Sequence, residues 1–353
     1  MKFKAIDFFC GAGGVTCGLK QAGFSVVAGI EIEDIAAKTY QLNHPEHILL
    51  KQDIKKIDPV ELMHSLNLKE GSLDLIAGCP PCQGFSSHRT RNKSISTNDE
   101  RNDLIFELLK FIKVFLPKVV MIENVPALSK DDRINVILKQ LGYLGYFIND
   151  KTLQVKDAAS YGVPQRRKRM ILIASRFGFL DEPNVINKPL TVRDAIYNLS
   201  EPGTGNDDLH DYIQNRTDKV LKIIENIPKD GGSRVDLPRD LWLPCHIKKP
   251  DGYKDVYGRM SWDKVSPTIT GGCTNPSKGR FIHPEKNRAI TLREAALLQT
   301  FPIDYKFSLD KGRDSVALMI GNALPPRFIY VHALKIKEHL IKLSKEKYYE
   351  CQI

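Results

Sequence analysis

Short uninterrupted apolar runs alternate with segments of helical period through the first half of the chain. Phe3 to Phe9 reads as a strand, Val15 to Ala22 as a helix stopped by Gly23, and Ser25 to Ile30 as a second strand ending at Glu31. Ile35 to Asn43 is helical, and the run from His47 to Ile54 predicts a third strand with Asp53 near its end. Leu73 to Ala77 predicts a fourth. Leu104, Leu108, Phe111 and Phe115 fall on one face of a helix. Lys118 to Ile122 is another buried strand, Arg133 to Leu141 a helix, and strands are expected around Phe147 to Val155 and Met170 to Ala174. Such alternation with wholly apolar strands predicts an α/β fold built on a doubly wound, mostly parallel sheet.

From about Gly178 the pattern breaks up. Turn residues cluster at 201–206, 229–233 and 271–272, and basic residues mix with aromatics: Trp242, Lys248, Lys249, Tyr253, Lys254, Tyr257, Arg259 and Trp262. This texture predicts a loop-rich domain at 181–287, inserted between parts of the sheet domain at 1–180 and 288–353. Helical patterning returns at Leu292 to Gln299 and from Pro326 to Ser344.

Composition narrows the picture. The 353 residues are 42% hydrophobic and 27% charged, enough to bury a core and too apolar for disorder. No long uncharged apolar span and no signal-peptide pattern occurs, so a soluble, cytoplasmic protein with no membrane partner is expected. Seven cysteines without framework spacing suit a reducing compartment. A net charge of +10 fits either a lysine-rich solubilising surface or a polyanionic partner.

Candidate chemistry sits at predicted strand ends. Cys10-Gly11-Ala12-Gly13-Gly14 is a glycine-rich turn, and Glu31 closes the next strand. Glycines let backbone approach a ligand and a carboxylate accepts ribose hydroxyls, which together point to an adenosine-type cofactor. Asp53 either accepts from an adenine amino group or caps a helix. Gly78-Cys79-Pro80-Pro81-Cys82-Gln83-Gly84-Phe85-Ser86 follows the fourth strand, with two prolines stiffening the turn before Cys82. Cys79 and Cys82 also fit C-x-x-C, the spacing of redox pairs and half zinc sites, but no convincing second Cys/His pair completes a zinc site. Ser86 to Asp103 is polar and irregular, as expected for a loop that closes over substrate. Glu123-Asn124 and Gln165-Arg166-Arg167-Lys168-Arg169 add an acid and paired arginines, whose plain alternatives are a strand-end ion pair and a solvated basic turn.

Taken in order, these motifs resemble the DNA (cytosine-5)-methyltransferases, prokaryotic type. The matches are Asp7 to Gly14, Gly78 to Ser86, Glu123-Asn124-Val125, Gln165-x-Arg167-x-Arg169, Arg293 to Pro302 and Gly321 to Pro326. They span nearly the whole chain, with the family's target-recognition insert at 181–287.

The resemblance implies methyl transfer from S-adenosylmethionine to C5 of a cytosine flipped out of duplex DNA, with no metal. Cys82 would add to C6, Glu123 would hold N3 and N4, Arg169 would reach O2, and Arg167 a phosphate or the site's scaffold. Gln83 and Asn124 complete the expected catalytic set. The cofactor would be held by Phe9, Cys10, Gly11, Ala12, Gly13, Gly14, Glu31, Ile32, Asp53, Ile54, Gly78, Pro80, Leu104, Asn322 and Ala323. Ser86, Ser87, Arg89, Gln165, Lys254, Arg259, Thr268, Gly271 and Gly272 are the expected DNA contacts. A monomer is implied, with or without a separately acting restriction endonuclease. A similar branch methylates transfer RNA, but it carries a Cys-Phe-Thr tripeptide in the insert that this chain lacks.

Overall fold

The computed structural model describes residues 2–81, 103–205 and 207–350, with side chains through 345. The chain divides into two compact units. Unit 1 comprises Met1–Tyr161, Lys168–Val185 and Pro326–Ile353; unit 2 comprises Gly162–Arg167 and Ile186–Pro325. Among the described residues, no helix is long and apolar enough to cross a membrane.

Unit 1 holds a seven-stranded sheet: β1 Lys4–Phe8, β2 Ser25–Glu31, β3 Ile48–Lys51, β4 Leu75–Gly78, β5 Val119–Asn124, β6 Leu153–Asp157 and β7 Lys168–Ser175. Its order is β3-β2-β1-β4-β5-β7-β6, and β7 alone runs against its neighbours. The helices are α1 Gly14–Gln21, α2 Asp34–Asn43, α3 Pro59–Ser65, α4 Leu104–Phe115 and α5 Asp132–Tyr143. The final helix, Pro326–Glu350, packs on α1. The apolar face of α4 buries Leu108, Phe111, Ile112 and Phe115 against Ile6, Phe8, Ile76 and Ile122, and the Phe8 and Phe111 rings lie 4.8 Å apart. Burying one such side chain is worth roughly 1.5–3 kcal/mol, so this layer anchors the sheet.

Two sequence expectations shift here. The third strand stops at Lys51, and Asp53 caps a short 3-10 turn by accepting from the Lys55 N–H at 3.0 Å. The strand expected over Phe147 to Val155 begins only at Leu153, with an isolated bridge at Phe147.

Unit 2 contains helices at Val192–Ile196, Asp218–Asn226, Pro244–Lys248, Leu292–Leu298 and Gly312–Asn322, and no extended strand among the described residues. It therefore takes in two helices beyond the 181–287 span read from texture. Without sheet ladders, many backbone carbonyls need other donors. Buried arginines supply them. Arg259 donates from all three nitrogens to the carbonyls of Ile224, Ile227, His283 and Lys286 and to Asn287 Oδ1. Arg234 donates to the carbonyls of Pro250, Gly252 and Tyr253. Beside them Ile223, Ile224, Ile227, Leu237, Tyr257 and Ile282 form a small apolar core.

Candidate active site

In unit 1, β1 to β5 run in parallel, so their C-terminal ends share one sheet edge, where open α/β sheets place ligands. β7 runs oppositely and pairs Met170 with Asn124, which brings its first residues, Lys168 and Arg169, to that edge.

The turn after β1 is tightly wound. Phe9, Gly11 and Gly13 have φ of 59°, 54° and 90°, and α1 begins at Gly14. Glycine adopts this region without the Cβ penalty that Phe9 bears. Ala12 is buried and Cys10 lies beneath the turn, with burial raising its thiol pKa well above the ordinary value. Glu31 ends β2. Its Oε2 accepts from the Gly11 N–H at 2.8 Å, and its Oε1 from the N–H groups of Ile32 and Glu33 at 2.9 and 2.8 Å. Burial raises the Glu31 pKa, against the lowering by these three donors. Ile32 is 58% exposed while Ile54 is buried. No described atom lies within 4 Å of where a Cβ on Gly11 would stand. A carboxylate, an exposed aliphatic face and an open glycine turn suit the diol and apolar base of a nucleoside, so these residues fit S-adenosylmethionine.

Asp7 lies under the same turn. Its Oδ2 accepts from the Thr16 N–H at 3.0 Å and hydroxyl at 2.7 Å, while its buried Oδ1 has no hydrogen-bond partner among the described residues. Burial raises its pKa from 3.8 to about 7.

The next strand ends carry polar chemistry. Gly78 closes β4 against Leu108 of α4, whose first residue is Leu104. Asn124 donates to the Pro80 carbonyl at 2.8 Å and accepts from the Val125 N–H at 2.8 Å, which fixes the proline turn on the end of β5. Glu123 is buried and pairs with Arg169 Nε at 2.9 Å. The Cys79 thiol hydrogen-bonds Glu123, and burial raises its pKa well above the ordinary value. Cys82, Gln83, Ser86, Ser87 and Arg89 lie outside the described residues, as does the expected closing loop.

In unit 2 another set of motif residues forms one buried polar hub. Gln165 Nε2 donates to Gln299 Oε1 at 2.8 Å, and its Oε1 accepts from the Ile269 N–H at 2.9 Å. Gln299 donates on to the Ile320 carbonyl at 2.6 Å. Arg167 donates to the carbonyls of Ile269, Gly321 and Ala323 at 3.0, 2.9 and 3.0 Å. A Cβ on Gly321 would stand 2.3 Å from Gly271 N, so only glycine lets the helix Gly312–Asn322 approach the Thr268–Gly272 backbone. Gly271 packs on Leu318 and Gly272 on Lys278, while the Thr268 hydroxyl donates to the Arg166 carbonyl at 2.6 Å. Asn322, exposed, and Ala323 belong to this unit.

Two expectations are corrected by these bonds. Arg259, 0% exposed with every N–H used, cannot read DNA. Gln165, also 0% exposed, holds the hub instead of touching DNA. Of the two roles expected of Arg167, a phosphate contact or the site's scaffold, these bonds support the scaffold. Lys254 is exposed and meets only Asp251, at 3.3 Å, in the ion pairs of the described residues. Gln299 escaped the sequence reading. Its place in the motif from Arg293 to Pro302 was the available signal.

The profile of C-5 cytosine-specific DNA methylases matches residues 3–338. The type II methylase M.HgiDII of Herpetosiphon aurantiacus is 35% identical over 97% of both chains. The type II methyltransferase M1.HphI of Haemophilus parahaemolyticus is 33% identical over 98% of this chain and 88% of its own. Among solved structures, a putative DNA modification methyltransferase encoded within an Escherichia coli prophage superposes with a TM-score of 0.68 at 23% identity, over 97% of this chain and 100% of that one. The fold, the strand-end chemistry and these likenesses agree: the chain belongs to the C-5 cytosine-specific DNA methylase family.

Proposed function

We propose that the chain methylates C5 of a cytosine flipped out of a specific duplex DNA site, with Cys82 as the covalent nucleophile. The observation that carries this reading is the pairing of Glu123 with Arg169 at 2.9 Å, on the sheet edge that also bears Glu31 and the glycine turn.

Cytosine C5 is a poor nucleophile. The Cys82 thiolate forms a bond to C6 and turns the ring into an enamine with electron density at C5. A free cysteine has a pKa near 8.5, so the thiolate needs help at neutral pH. Glu123 hydrogen-bonds ring N3 and the N4 amino group and offsets the charge that builds on attack, and Arg169 orients Glu123 and reaches the O2 side. S-adenosylmethionine, when bound, supplies an electrophilic methyl on a sulfonium. Phe9, the turn from Cys10 to Gly14, Glu31, Ile32, Asp53, Ile54, Gly78, Pro80 and Leu104 would hold it. Water or a nearby base removes the C5 proton, and β-elimination returns the thiolate to Cys82. The insert at 181–287 reads the site through exposed residues such as Lys254, and Thr268, Gly271 and Gly272 shape its recognition loop. The DNA is methylated within a restriction–modification pair or by this enzyme alone.

The test is transfer of labelled methyl from S-adenosylmethionine to duplex DNA, single-stranded DNA and transfer RNA. Label on C5 of cytosine in duplex DNA is expected. Label confined to transfer RNA, or no transfer, overturns the reading.

A further inference from the structure

Unit 2 carries a cavity of about 300 Å³ that none of the chemistry above uses. Its lining includes Tyr212, Arg216 and Thr274, and Arg313 and Asp314 at the start of the helix Gly312–Asn322. Arg288 also reaches it, but that guanidinium is spent on the two oxygens of Glu294, at 2.7 and 2.8 Å.

Arg216 and Arg313 are placed differently. Arg216 Nη2 donates to the Thr274 carbonyl at 2.7 Å and to Gln214 Oε1. Arg313 donates from Nη1 and Nη2 to the Asp208 carbonyl, and its guanidinium lies 4.0 Å from the centre of the Tyr212 ring. Neither arginine has an ion pair among the described residues. A guanidinium has five N–H groups. Two are used on each arginine, which leaves three on each without a partner among the described residues. The acids around them do not cancel this charge. Asp207 is committed to Arg293 at 2.6 Å, and Asp314 is the one carboxylate in the lining, against two unpaired guanidiniums.

An arginine tied to backbone in this way cannot extend into a groove to read a base edge. It offers its remaining N–H groups to the cavity, and a fixed fork of N–H groups matches the oxygens of a phosphate. The stack on Tyr212 holds the plane of Arg313. Size agrees: a water molecule takes about 30 Å³ of liquid, so the cavity has room for a phosphodiester and part of its sugars. Tyr212, Ile213 and Leu221, all exposed, give the sugars an apolar wall.

We infer that Arg216 and Arg313 together hold one backbone phosphate of the DNA duplex in this cavity, an inference that rests on the duplex-DNA reading above. A phosphate contact sets register and orientation without carrying sequence information. Arg216 also ties the chain at Thr274, two residues beyond Gly272. A phosphate seated on Arg216 would therefore fix the Thr268–Gly272 loop in register with the duplex.

Anisotropy of a fluorescent duplex, titrated with full-length protein between about 50 and 200 mM salt, tests this, because each phosphate neutralised contributes a slope near −0.9 in log K against log salt. Arg216→Gln, Arg313→Gln and the double variant should each flatten the slope by about 0.9, since all three lose the same phosphate. In methyl-transfer assays KM for the duplex should rise about 10-fold, the worth of one charge-assisted contact. The kcat should hold, as it does when binding is lost equally from ground and transition states. Arg313→Lys keeps the charge and a donor for Asp208, so it should restore the slope but only part of the affinity. Weaker binding with an unchanged slope overturns the inference and leaves the arginines as braces for two carbonyls. Additive flattening in the double variant overturns the shared phosphate. Variants that methylate duplex DNA with wild-type slope and KM sink this inference alone, whereas a wild type that neither binds nor methylates duplex DNA sinks the proposed function with it.

Discussion

Replacing Arg167 with methionine separates a scaffold residue from a substrate contact. The side chain is 1% exposed and donates to three carbonyls, those of Ile269, Gly321 and Ala323, at 2.9–3.0 Å. A hydrogen bond from a charged donor is worth roughly 1.5–3 kcal/mol, and each carbonyl left unpaired in the interior costs about 1–3 kcal/mol. These terms overlap, and breaking a buried charged network typically costs about 3–5 kcal/mol in total. That is a large share of a domain stability of roughly 5–15 kcal/mol. Arg167→Met should therefore lower the urea midpoint of unit 2 strongly, and Arg167→Lys should recover only part, because one ammonium cannot span three carbonyls. Arg169→Lys is the contrast: the side chain is 16% exposed and pairs with Glu123, so a retained cation should keep most of the stability while the lost guanidinium fork lowers methyl transfer. Equilibrium unfolding beside methyl-transfer rates gives both readouts. An Arg167→Met protein with an unchanged unfolding midpoint and abolished transfer would refute the scaffold assignment.

Cys82→Ser should abolish turnover and also the denaturant-stable adduct that wild type forms with duplex DNA carrying 5-fluorocytosine; an adduct surviving in the variant on a denaturing gel would reject Cys82 as the nucleophile. Glu31→Gln should weaken S-adenosylmethionine binding by roughly 1.5–3 kcal/mol, the worth of a hydrogen bond to a charged group, and leave DNA binding near wild type; equal cofactor affinity by calorimetry counts against the role. Asp7 has its pKa raised from 3.8 to about 7 by burial, so its stabilising contribution is full below about pH 4 and is lost as pH rises through 7. At ~1.4 kcal/mol per unit this is about 4 kcal/mol at most, and Asp7→Asn should gain on wild type between pH 5 and 8; parallel unfolding curves would contradict it. Exchanging 181–287 for the same span of a relative should transfer that relative's target site, read by sequencing methylated DNA, and an active chimera that keeps its original site would place specificity elsewhere.

The sheet unit was legible because most of its strands are apolar runs bounded by turn residues; β6, Leu-Gln-Val-Lys-Asp, is the polar exception, and its start was misplaced. The helix Leu104–Phe115 followed from a single face of apolar residues, with the same bounds in the structure. Asp53 shows where this reading stops. Gln52-Asp53-Ile54 continues an apolar run, but the Asp53 carboxylate captures the Lys55 N–H and turns the chain out of the strand. Pro59–Ser65 and Gly312–Asn322 were not foreseen as helices. The first is only seven residues long, and the second has small residues rather than a clear apolar face.

The buried arginines escaped for a different reason, since a sequence records charge and not burial. Arg259 beside Tyr257 and Trp262 has the composition of a nucleic-acid surface. A strand-free unit, however, has unpaired carbonyls, and a guanidinium offers five N–H groups to satisfy them. Arg259 places its five on five acceptors and retains none for a ligand. Glu31 has the opposite balance: a carboxylate has about four acceptor positions, and three N–H groups occupy three of them. One position is left at the rim of the glycine turn, the one that the proposed function assigns to a ribose hydroxyl. Counting spent and unspent hydrogen-bonding capacity thus separates polar motif residues that build the protein from those that meet its ligands.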